Sequence, residues 1–325
     1  MLVHEELGIH QVRLPLPFTM NHVNGFAVKG SDGWSLIDAG LNLEDCRNCW
    51  LQFFSEQAIA PSDIKSIYVT HFHPDHYGGA GWLQNYAKGA PVYMGKIEAG
   101  LVVRFWQTKP GPGEMLHIFF KENGMPEEVR SKVMEAFAEV VTGTAPPHPE
   151  LTIMDAEGKA RLGDYEYRVM LVAGHSDGHV CLYNEEYKLL FAGDNLLPKI
   201  NISLWPQQLA AADPLNSFFH SLNWLRTLDC RLIISGHDKP FESIEERVSA
   251  IEGHHRQRLA LIKSLAVGGT TAYEICRQVF RQDIGAFELR FAMAETLAHL
   301  AYLTFRNELE KSVRGDGVVV YSRRA

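Results

Sequence analysis

The spacing of hydrophobic and polar residues along the first part of the chain predicts strands that alternate with helices. Short β-branched or aromatic runs predict strands at 10–16, 25–29, 34–37, 64–70 and 91–94. Stretches with apolar residues every three or four positions predict helices at 41–57 and 77–88. Similar alternation returns around 165–193 and 231–235. These elements predict β-sheets that are covered by helices.

Residues 98–150 lack this alternation. The segment contains the turn-forming cluster Lys109–Gly113 and the stiff stretch Ala145–Pro149, with a predicted helix at 127–140 between them. An insert of this length without obvious core strands is more typical of a cap over a site than of a central sheet. We therefore predict a helical cap insert at 98–150 within a first domain that comprises residues 1–253.

The C-terminal part of the chain has a different, mostly helical pattern. Helices are predicted at 257–266, 273–280 and 286–311, followed by a strand at 315–321. Helices followed by a short hairpin are similar to a winged-helix arrangement, so we predict a small winged-helix-like second domain at residues 254–325. Residues 255–325 carry eleven Lys or Arg and seven Asp or Glu, a local balance of +4 that permits contact with an anion.

Composition and charge argue against several classes of protein. The chain has 325 residues, of which 46% are hydrophobic and 22% are charged, as in ordinary globular proteins. The formal charge of −8 gives no overall basic footprint, so general attraction to nucleic acid or membranes is not expected. The first residues do not resemble a secretory signal, and no stretch approaches the roughly 18 uninterrupted apolar residues that span a bilayer. We therefore predict a cytoplasmic protein without a membrane partner.

The five cysteines are scattered and odd in number, so a disulfide framework is not expected. Cys46 and Cys49 form a Cys-x-x-Cys pair, but no second pair with zinc-binding spacing accompanies it. The pair also lies within a predicted helix. The sequence favours buried structural cysteines here over a redox or metal-binding role.

The densest chemical signal is the segment Thr70–Gly79, Thr-His-Phe-His-Pro-Asp-His-Tyr-Gly-Gly. Residues two apart in an extended segment point the same way, so His71 and His73 can face one metal ion. After the bend at the following proline, Asp75 and His76 can address a neighbouring position. Imidazole and carboxylate groups are ligands that zinc, iron or manganese take. The alternative is a surface cluster at a turn, but three imidazoles and a carboxylate within six residues favour a metal site.

With this motif the sequence resembles the metallo-beta-lactamase superfamily over about residues 20–240. Four further short motifs occur in the family's order, each after an apolar run: Leu36–Gly40, Ala173–His179, Phe191–Asp194 and Ile234–His237. Each is weak alone, whereas five in the same order are specific. The resemblance implies the α+β fold class, as a four-layered αβ/βα sandwich with the metal site at one edge.

The resemblance also implies two divalent metal ions as cofactors, zinc or else iron or manganese. The implied ligands of one ion are His71, His73 and His175, those of the other are Asp75, His76 and His237, and Asp194 bridges both ions together with a water or hydroxide. Asp38 is expected to orient a ligand or to structure the adjoining loop, with an ordinary turn aspartate as the alternative. His179 is expected to be a supporting or structural residue.

This ligand set suits hydrolysis. Two divalent cations and the charges of Asp75, Asp194 and a bridging hydroxide leave the centre with a net charge of about +1. Such a centre can lower the pKa of a bound water and attract a developing oxyanion. His71, Asp75 and Asp194 are therefore predicted to be catalytic through the activated water.

The identities of the ligand residues argue against some reactions of the superfamily. Beta-lactamases of this superfamily either have cysteine where this chain has Asp194 or lack the bridging aspartate, and both kinds are exported, so antibiotic hydrolysis is disfavoured. The superfamily's mononuclear iron dioxygenases keep fewer ligands. We predict a hydrolase of a small ester, thioester or lactone, because the acidic chain and the long insert favour a small-molecule partner.

Two alternatives remain open. One is an RNA or single-stranded DNA nuclease, because the C-terminal segment resembles that of the beta-lactamase-like proteins related to mitochondrial RNA endonucleases. The other is a non-enzymatic ligand-sensing protein, which the intact ligand set disfavours.

The remaining histidines lack ligand spacing and are predicted to be surface or packed residues: His117, His148, His220, His254, His255 and His299. Those in the insert, His117 and His148, could still serve at a pocket. Leu204–Pro206 is a further candidate for an apolar pocket wall, with loop packing as the alternative.

Overall fold

The fold is given by a computed structural model, which describes residues 1–108, 111–198 and 213–324, apart from the side chain of residue 139. The candidate pocket wall at Leu204–Pro206 and part of the predicted turn cluster Lys109–Gly113 lie outside the described residues. Within these ranges, no helix combines the length and the apolar character that crossing a membrane requires.

The described strands form two large sheets and one small sheet. The strands are β1 (Leu2–His4), β2 (Ile9–Pro15), β3 (His22–Lys29), β4 (Trp34–Ile37), β5 (Ile64–Val69), β6 (Val92–Gly95), β7 (Leu151–Met154), β8 (Lys159–Leu162), β9 (Tyr165–Val172), β10 (His179–Asn184), β11 (Leu189–Gly193), β12 (Leu232–Ser235), β13 (Thr270–Thr271), β14 (Leu309–Val313) and β15 (Val319–Arg323). The first sheet has the order β1-β2-β3-β4-β5-β6-β7, the second β12-β11-β10-β9-β8, and the small one β13-β15-β14. Strands β4 to β7 are parallel, as is the pair β11 and β12, and the other pairs are antiparallel.

Helices connect and cover these sheets. They are α1 (Glu44–Glu56), α2 (Pro74–Tyr77), α3 (Ala80–Tyr86), α4 (Lys96–Val102), α5 (Pro112–Glu122), α6 (Glu127–Thr142), α7 (Pro214–Leu225), α8 (Ile244–Leu265), α9 (Ala272–Val279) and α10 (Ala286–Phe305). A 3₁₀ turn at Pro61–Asp63 precedes β5, and a π-helical turn at Val103–Gln107 follows α4.

The two large sheets face each other across an apolar interior. Phe26 of β3 meets Phe191 of β11 with ring centroids 5.5 Å apart, and both belong to the buried cluster between the sheets. On the outer faces, Trp50 of α1 is buried against β2 and β3, and Phe218 of α7 is buried beneath the second sheet. This order of helices, sheet, sheet and helices confirms the predicted fold class.

Two predicted helices had the wrong extent. Helix α8 begins at Ile244 rather than near residue 257, and the Ser243 side chain caps it by accepting from the Glu246 backbone N–H. Helix α10 ends at Phe305 rather than at 311 because Asn307 adopts a φ of 58°, which ends a helix. The residues beyond it form β14 and pair with β15, so strand pairing overrides the local helical pattern.

Helix α8 runs across the predicted domain boundary at residues 253 and 254. Buried side chains of α8 and α10 belong to the same hydrophobic cluster as those of α1 and α7. The insert between β6 and β7 holds α4, α5 and α6, and α6 packs against α10. The division into two domains, the cap role of the insert and the winged-helix description stay predictions.

Cys46 and Cys49 lie on α1 as thiols and not as a disulfide. The Cys46 thiol lies 3.2 Å from the Pro15 carbonyl oxygen, and burial raises its pKa to about 12. A thiol with so high a pKa is a packing group and not a nucleophile.

Candidate metal centre

Loops at one edge of the sandwich carry the predicted site residues, and each loop follows a buried strand. Asp38 follows β4, His71 follows β5, His175 follows β9, Asp194 follows β11 and His237 follows β12. Both large sheets therefore contribute to the site. The apolar strands hold the loop ends in place because their side chains are locked in the core.

The densest motif leaves β5 in an extended conformation and turns at Pro74. His73 has φ −60° and ψ 147°, and Pro74 occupies the first helical position of α2. Proline suits this position because its fixed φ matches the helix and its missing N–H would have no intrahelical partner there. The turn places Asp75 and His76 on the first turn of α2, next to the two preceding histidines.

Two glycines let the other loops approach this motif closely. Gly193 has a φ of +49°, and a side-chain carbon there would lie 2.5 Å from the His179 ring. A side chain at Gly236 would overlap the Asp194 carboxylate and the His76 ring. The site is therefore assembled at distances that only glycine permits.

Three imidazole nitrogens converge at one side of the site. The Nε2 atom of His71 lies 2.9 Å from Nδ1 of His73 and 3.1 Å from Nε2 of His175. Burial lowers the pKa of His71 and His73 well below the usual value and that of His175 to about 4. Neutral rings present lone pairs, the form that binds metals. Ligands of one tetrahedral zinc ion lie about 3.3 Å apart, so the spacing fits a shared cation.

A second group of ligand atoms lies beside the first. The Oδ2 atom of Asp75 is 3.5 Å from Nε2 of His237 and 3.8 Å from Nε2 of His76. Burial alone would lower the pKa of both imidazoles, but the surrounding carboxylates raise the pKa of His76 well above its usual value and that of His237 to about 10. Negative charge is thus concentrated where these two nitrogens meet, and it favours a cation at this position.

Asp194 lies between the two groups. Its Oδ2 atom is 3.1 Å from Nε2 of His237 and 3.6 Å from Nε2 of His175, and its Oδ1 atom is 3.4 Å from Nε2 of His76. Burial opposes its ionisation, but His237 and His76 hold its pKa well below the usual range. The structure therefore brings all seven predicted ligands into one cluster, in which six are buried and Asp75 is half-buried.

The cluster fits divalent cations. Among the described residues, His76 Nε2 and Asp194 Oδ1 are buried atoms without a well-formed hydrogen bond, although they face each other. Zinc, iron and manganese bind imidazole and carboxylate groups. Two sets of three such ligands, with the Asp194 carboxylate between them, can hold two such ions.

Asp38 supports the cluster from behind. Its carboxylate accepts from Nδ1 of His76 at 2.8 Å and from the backbone N–H of Thr70 at 2.8 Å. A carboxylate on the far nitrogen of a histidine fixes the ring's tautomer and direction. Asp38 has a φ of +56°, a conformation that Asp and Asn adopt more readily than most residues. These contacts are those expected of a residue that orients a ligand.

Replacing Asp38 by asparagine should weaken metal binding by about 10- to 100-fold, the effect typical of losing such an outer partner. Asparagine keeps the size and the backbone preference but removes the charge that holds the His76 proton. Competition with a chelator of known affinity measures the change. The exposed Asp32 offers the control Asp32→Asn, which should bind as the wild type does. Equal affinity of Asp38→Asn and the control would contradict the orienting role.

His179 has a different contact. It is buried, its Nε2 atom accepts from the Asp194 backbone N–H at 3.1 Å, and its ring centroid lies 4.8 Å from that of His71. It therefore positions the backbone of a predicted ligand, in keeping with a supporting role.

The sequence analysis missed two charged residues at the site. Glu98 is buried and accepts from the backbone N–H groups of Phe72 and Gly178 at 2.8 and 2.7 Å, which ties two site loops together. Burial raises the pKa of Glu98 to about 7. Arg290 of α10 is buried beside the cluster, where burial lowers its pKa to about 9 and Asp75 opposes that shift. Neither residue belongs to a recognisable local motif, because only the fold brings them to the site.

A cavity of about 360 Å³ opens beside the cluster. His175, Asp194 and His237 line one side of it, and α10 lines another with Phe287 and Phe291. The described walls are mostly apolar. A narrower cleft of about 60 Å³ is lined by His73, Asp75 and Arg290, among other residues.

The other histidines occupy varied places. His117 accepts from Arg130, and His148 lies 3.1 Å from the Tyr77 hydroxyl. His254, His255 and His299 meet between α8 and α10, where they form a second buried polar group.

Comparison with known proteins gives a consistent match over the whole chain. Residues 19–237 match the Metallo-beta-lactamase superfamily, and residues 259–324 match the family described as Metallo-beta-lactamase-like, C-terminal domain. The chain is 26% identical over 323 residues to the probable metallo-hydrolase YqjP of Bacillus subtilis, covering 94% of this chain and 95% of that protein. The crystal structure of a metallo-beta-lactamase family protein from Thermus thermophilus superposes with a TM-score of 0.85 at 30% identity, covering 98% of this chain and 99% of that one.

Two thioesterases match part of the chain. The acyl-coenzyme A thioesterase MBLAC2 of Gallus gallus is 28% identical over 177 residues, covering 54% of this chain and 57% of that protein. The atrochrysone carboxyl ACP thioesterase of Claviceps purpurea is 25% identical over 158 residues, covering 49% and 48% respectively.

Proposed function

The chain belongs to the metallo-beta-lactamase superfamily and is a metallo-hydrolase, and from this premise we propose that it hydrolyses a small thioester, ester or lactone at two divalent metal ions. The observation that carries the proposal is the apolar cavity of about 360 Å³ beside His175, Asp194 and His237. An apolar space that ends at a cluster of metal ligands fits an acyl group whose carbonyl carbon reaches the metal centre.

The site residues have different roles in the proposed reaction. His71, His73 and His175 would hold one ion, Asp75, His76 and His237 the other, with Asp194 between them. When bound, such ions make water nucleophilic at neutral pH and polarise a carbonyl oxygen. Asp38 keeps the proton of His76 on the nitrogen that faces away from the site, so that the other nitrogen offers a lone pair.

Helix α10 contributes an apolar wall and a positive charge to the site. Phe287 and Phe291 form an apolar wall that excludes water and strengthens electrostatic interactions at the site. The buried guanidinium of Arg290 lines the narrow cleft with Asp75, and its positive charge there would help to stabilise an oxyanion.

Two observations favour thioesters within this class. Two of the relatives are thioesterases by name, one acting on acyl-coenzyme A and one on an acyl carrier protein. The walls of the cavity are mostly apolar, which suits the acyl part of such a substrate better than a polar ring. A nuclease is less well supported, because Glu288 and Glu295 place carboxylates in the cavity wall, where a phosphodiester backbone would be repelled.

A substrate panel tests the proposal. Zinc-loaded protein is assayed on short- and medium-chain acyl-coenzyme A, aryl esters, lactones and an RNA oligonucleotide, with a chelator-treated sample beside each. We expect turnover of the thioesters that the chelator abolishes and that added zinc restores. Metal-dependent cleavage of RNA without hydrolysis of any acyl substrate would reject the proposal in favour of the nuclease.

Filling the cavity tests where the acyl group binds. Ala292 of α10 lines the cavity and is buried, so Ala292→Leu removes space for about two methylene groups. At about 0.8 kcal/mol for each methylene, kcat/KM for octanoyl-coenzyme A should fall about tenfold more than that for acetyl-coenzyme A. The half-buried Ala301 on the same helix gives the control Ala301→Leu. An equal loss for both chain lengths would place the acyl group elsewhere.

A further inference from the structure

A second polar cluster lies between α8 and α10, away from the seven predicted ligands. His254 and His255 come from α8, and Glu295 and His299 come from α10. His255, Glu295 and His299 are buried, while the His254 side chain is 28% exposed. Buried polar groups normally have their hydrogen bonds satisfied, so each atom of this cluster needs a partner.

The hydrogen bonds inside the cluster determine which nitrogens carry protons. Nδ1 of His299 lies 2.6 Å from the Glu295 carbonyl oxygen, and because a carbonyl only accepts, Nδ1 must carry the proton. Neutral His299 therefore offers a lone pair at Nε2. Nδ1 of His255 lies 3.1 Å from that atom and must donate to it. Neutral His255 is left with a lone pair at Nε2.

That lone pair lies close to ligand atoms of His254 and Glu295. One ligand atom each of His254, His255 and Glu295 lies within 4.8 Å of the others, and the Nε2 atom of His254 is 3.6 Å from Oε1 of Glu295. In the part of the chain that the structure describes, His255 Nε2 and Glu295 Oε1 have no hydrogen-bond partner. Burial lowers the pKa of His255 to about 3; burial also opposes ionisation of Glu295, but the neighbouring His254 keeps the pKa of that carboxyl below its usual value. The buried Nε2 atom of His255 is thus an acceptor without a donor among the described residues, and it lies beside a carboxylate and a second imidazole.

The neighbouring arginine does not satisfy this group of atoms. The Nε atom of Arg258 lies 3.6 Å from Glu295 Oε1, beyond a good hydrogen bond, and its guanidinium stacks 4.4 Å from the centroid of the Phe280 ring. A buried acceptor that stays unsatisfied is unfavourable, because nothing replaces the hydrogen bond it made to water. A positive ion among the three atoms would accept the lone pair of His255 and balance the charge of Glu295.

We propose that His254, His255 and Glu295 bind a divalent cation, and that the ion joins α8 to α10. Two imidazoles and one carboxylate with room for a water form a set that Zn²⁺ takes. His255 has the support that metal-binding histidines usually have, because its far nitrogen donates to a second residue, His299. The proposal does not depend on the substrate or on the number of ions that the seven predicted ligands, here called the main centre, hold.

The place of the ion indicates its role. Glu295 also lines the cavity whose walls include Phe287 and Phe291, so the ion lies behind the α10 side of that cavity. Joining α8 to α10 there would hold α10 against the main centre. The ion is therefore structural, and its loss should move α10 without removing any ligand of the main centre.

Metal counting on the full chain tests the proposal. Wild-type protein and His255→Gln are loaded with Zn²⁺, desalted and analysed for metal content per chain by mass spectrometry. We expect His255→Gln to hold one equivalent less than the wild type. The exposed His220 provides the matched control, and His220→Gln should keep the full content. Equal content of His255→Gln and the wild type would overturn the proposal and leave a buried water as the bridging group.

A second experiment, on a chain whose main centre is disabled, distinguishes metal binding at this site from binding at the main centre. In an Asp194→Ala chain, one equivalent of Co²⁺ should still bind, with a visible absorption band that disappears when His255→Gln is added. His254→Gln, at the partly exposed position, repeats the test if the His255 variant does not fold, and thermal unfolding monitors each variant. Absence of any Co²⁺ binding in a folded Asp194→Ala chain would also overturn the proposal.

Discussion

Replacing Asp194 by alanine should remove most bound metal and reduce hydrolysis by at least about a hundredfold. Loss of an outer partner of a ligand typically costs 10- to 100-fold, and Asp194 is proposed to contact both ions directly. Its carboxylate lies within 3.6 Å of nitrogens from His76, His175 and His237. Without it, these nitrogens lose the negative charge that offsets a cation. Metal analysis and kcat on the best acyl substrate give the two readouts.

Two further variants make the result specific. Asp194→Asn keeps the shape and removes the charge, so it should lose metal nearly as fully as alanine does. Asp229→Ala removes a carboxylate that is 71% exposed and pairs with Lys188 at the surface, and it should retain full metal and activity. If Asp194→Ala kept two equivalents of metal at the main centre, the bridging assignment would be wrong.

Ending the chain at residue 253 should prevent the remaining part from folding. The cut passes through α8, and it removes α10, which packs against α6, α7 and α8. It uncovers Phe137, Phe218 and Phe219, which contact side chains of the deleted part. Exposing the fully buried Phe137 and Phe218 costs about 1.5–3 kcal/mol each, a large share of the roughly 5–15 kcal/mol that stabilises a typical protein.

Thermal unfolding followed by circular dichroism measures this effect. The truncated chain should show no cooperative transition and should bind no stoichiometric metal. A chain that ends at residue 323 is the control, because it keeps every strand and helix described here and should unfold as the full chain does. A folded 1–253 protein that still binds metal at the seven predicted ligands would instead support the predicted division into two independent domains.

The seven candidate ligands could be found in the sequence because their motifs are local. His71, His73, Asp75 and His76 lie within six residues, and the other ligands follow apolar runs that end as strands. Strand ends at one edge of two stacked sheets meet in space, so motifs far apart in the chain converge. Their chemistry follows from residue type, and their meeting point follows from the order of the strands.

The second polar cluster could not be predicted in this way. His254 and His255 are neighbours on one helix, and Glu295 and His299 are one turn apart on another. Neither pair stands out, because histidines on an amphipathic helix are usually packed or exposed residues. Only the packing of α8 on α10 brings these side chains together.

The sequence by itself determined the candidate ligands and, through the resemblance that their motifs carry, the fold class and the expected hydrolysis, because such motifs are spelled within a few residues. The tertiary structure alone decided which side chains surround the reacting group. Arg290, Phe291 and Glu98 reach the site through contacts between segments that are far apart in the chain, and the extent of α8 and α10 depends on capping and strand pairing. The physical reason is that packing between distant segments depends on the complete set of neighbours, which no local pattern contains.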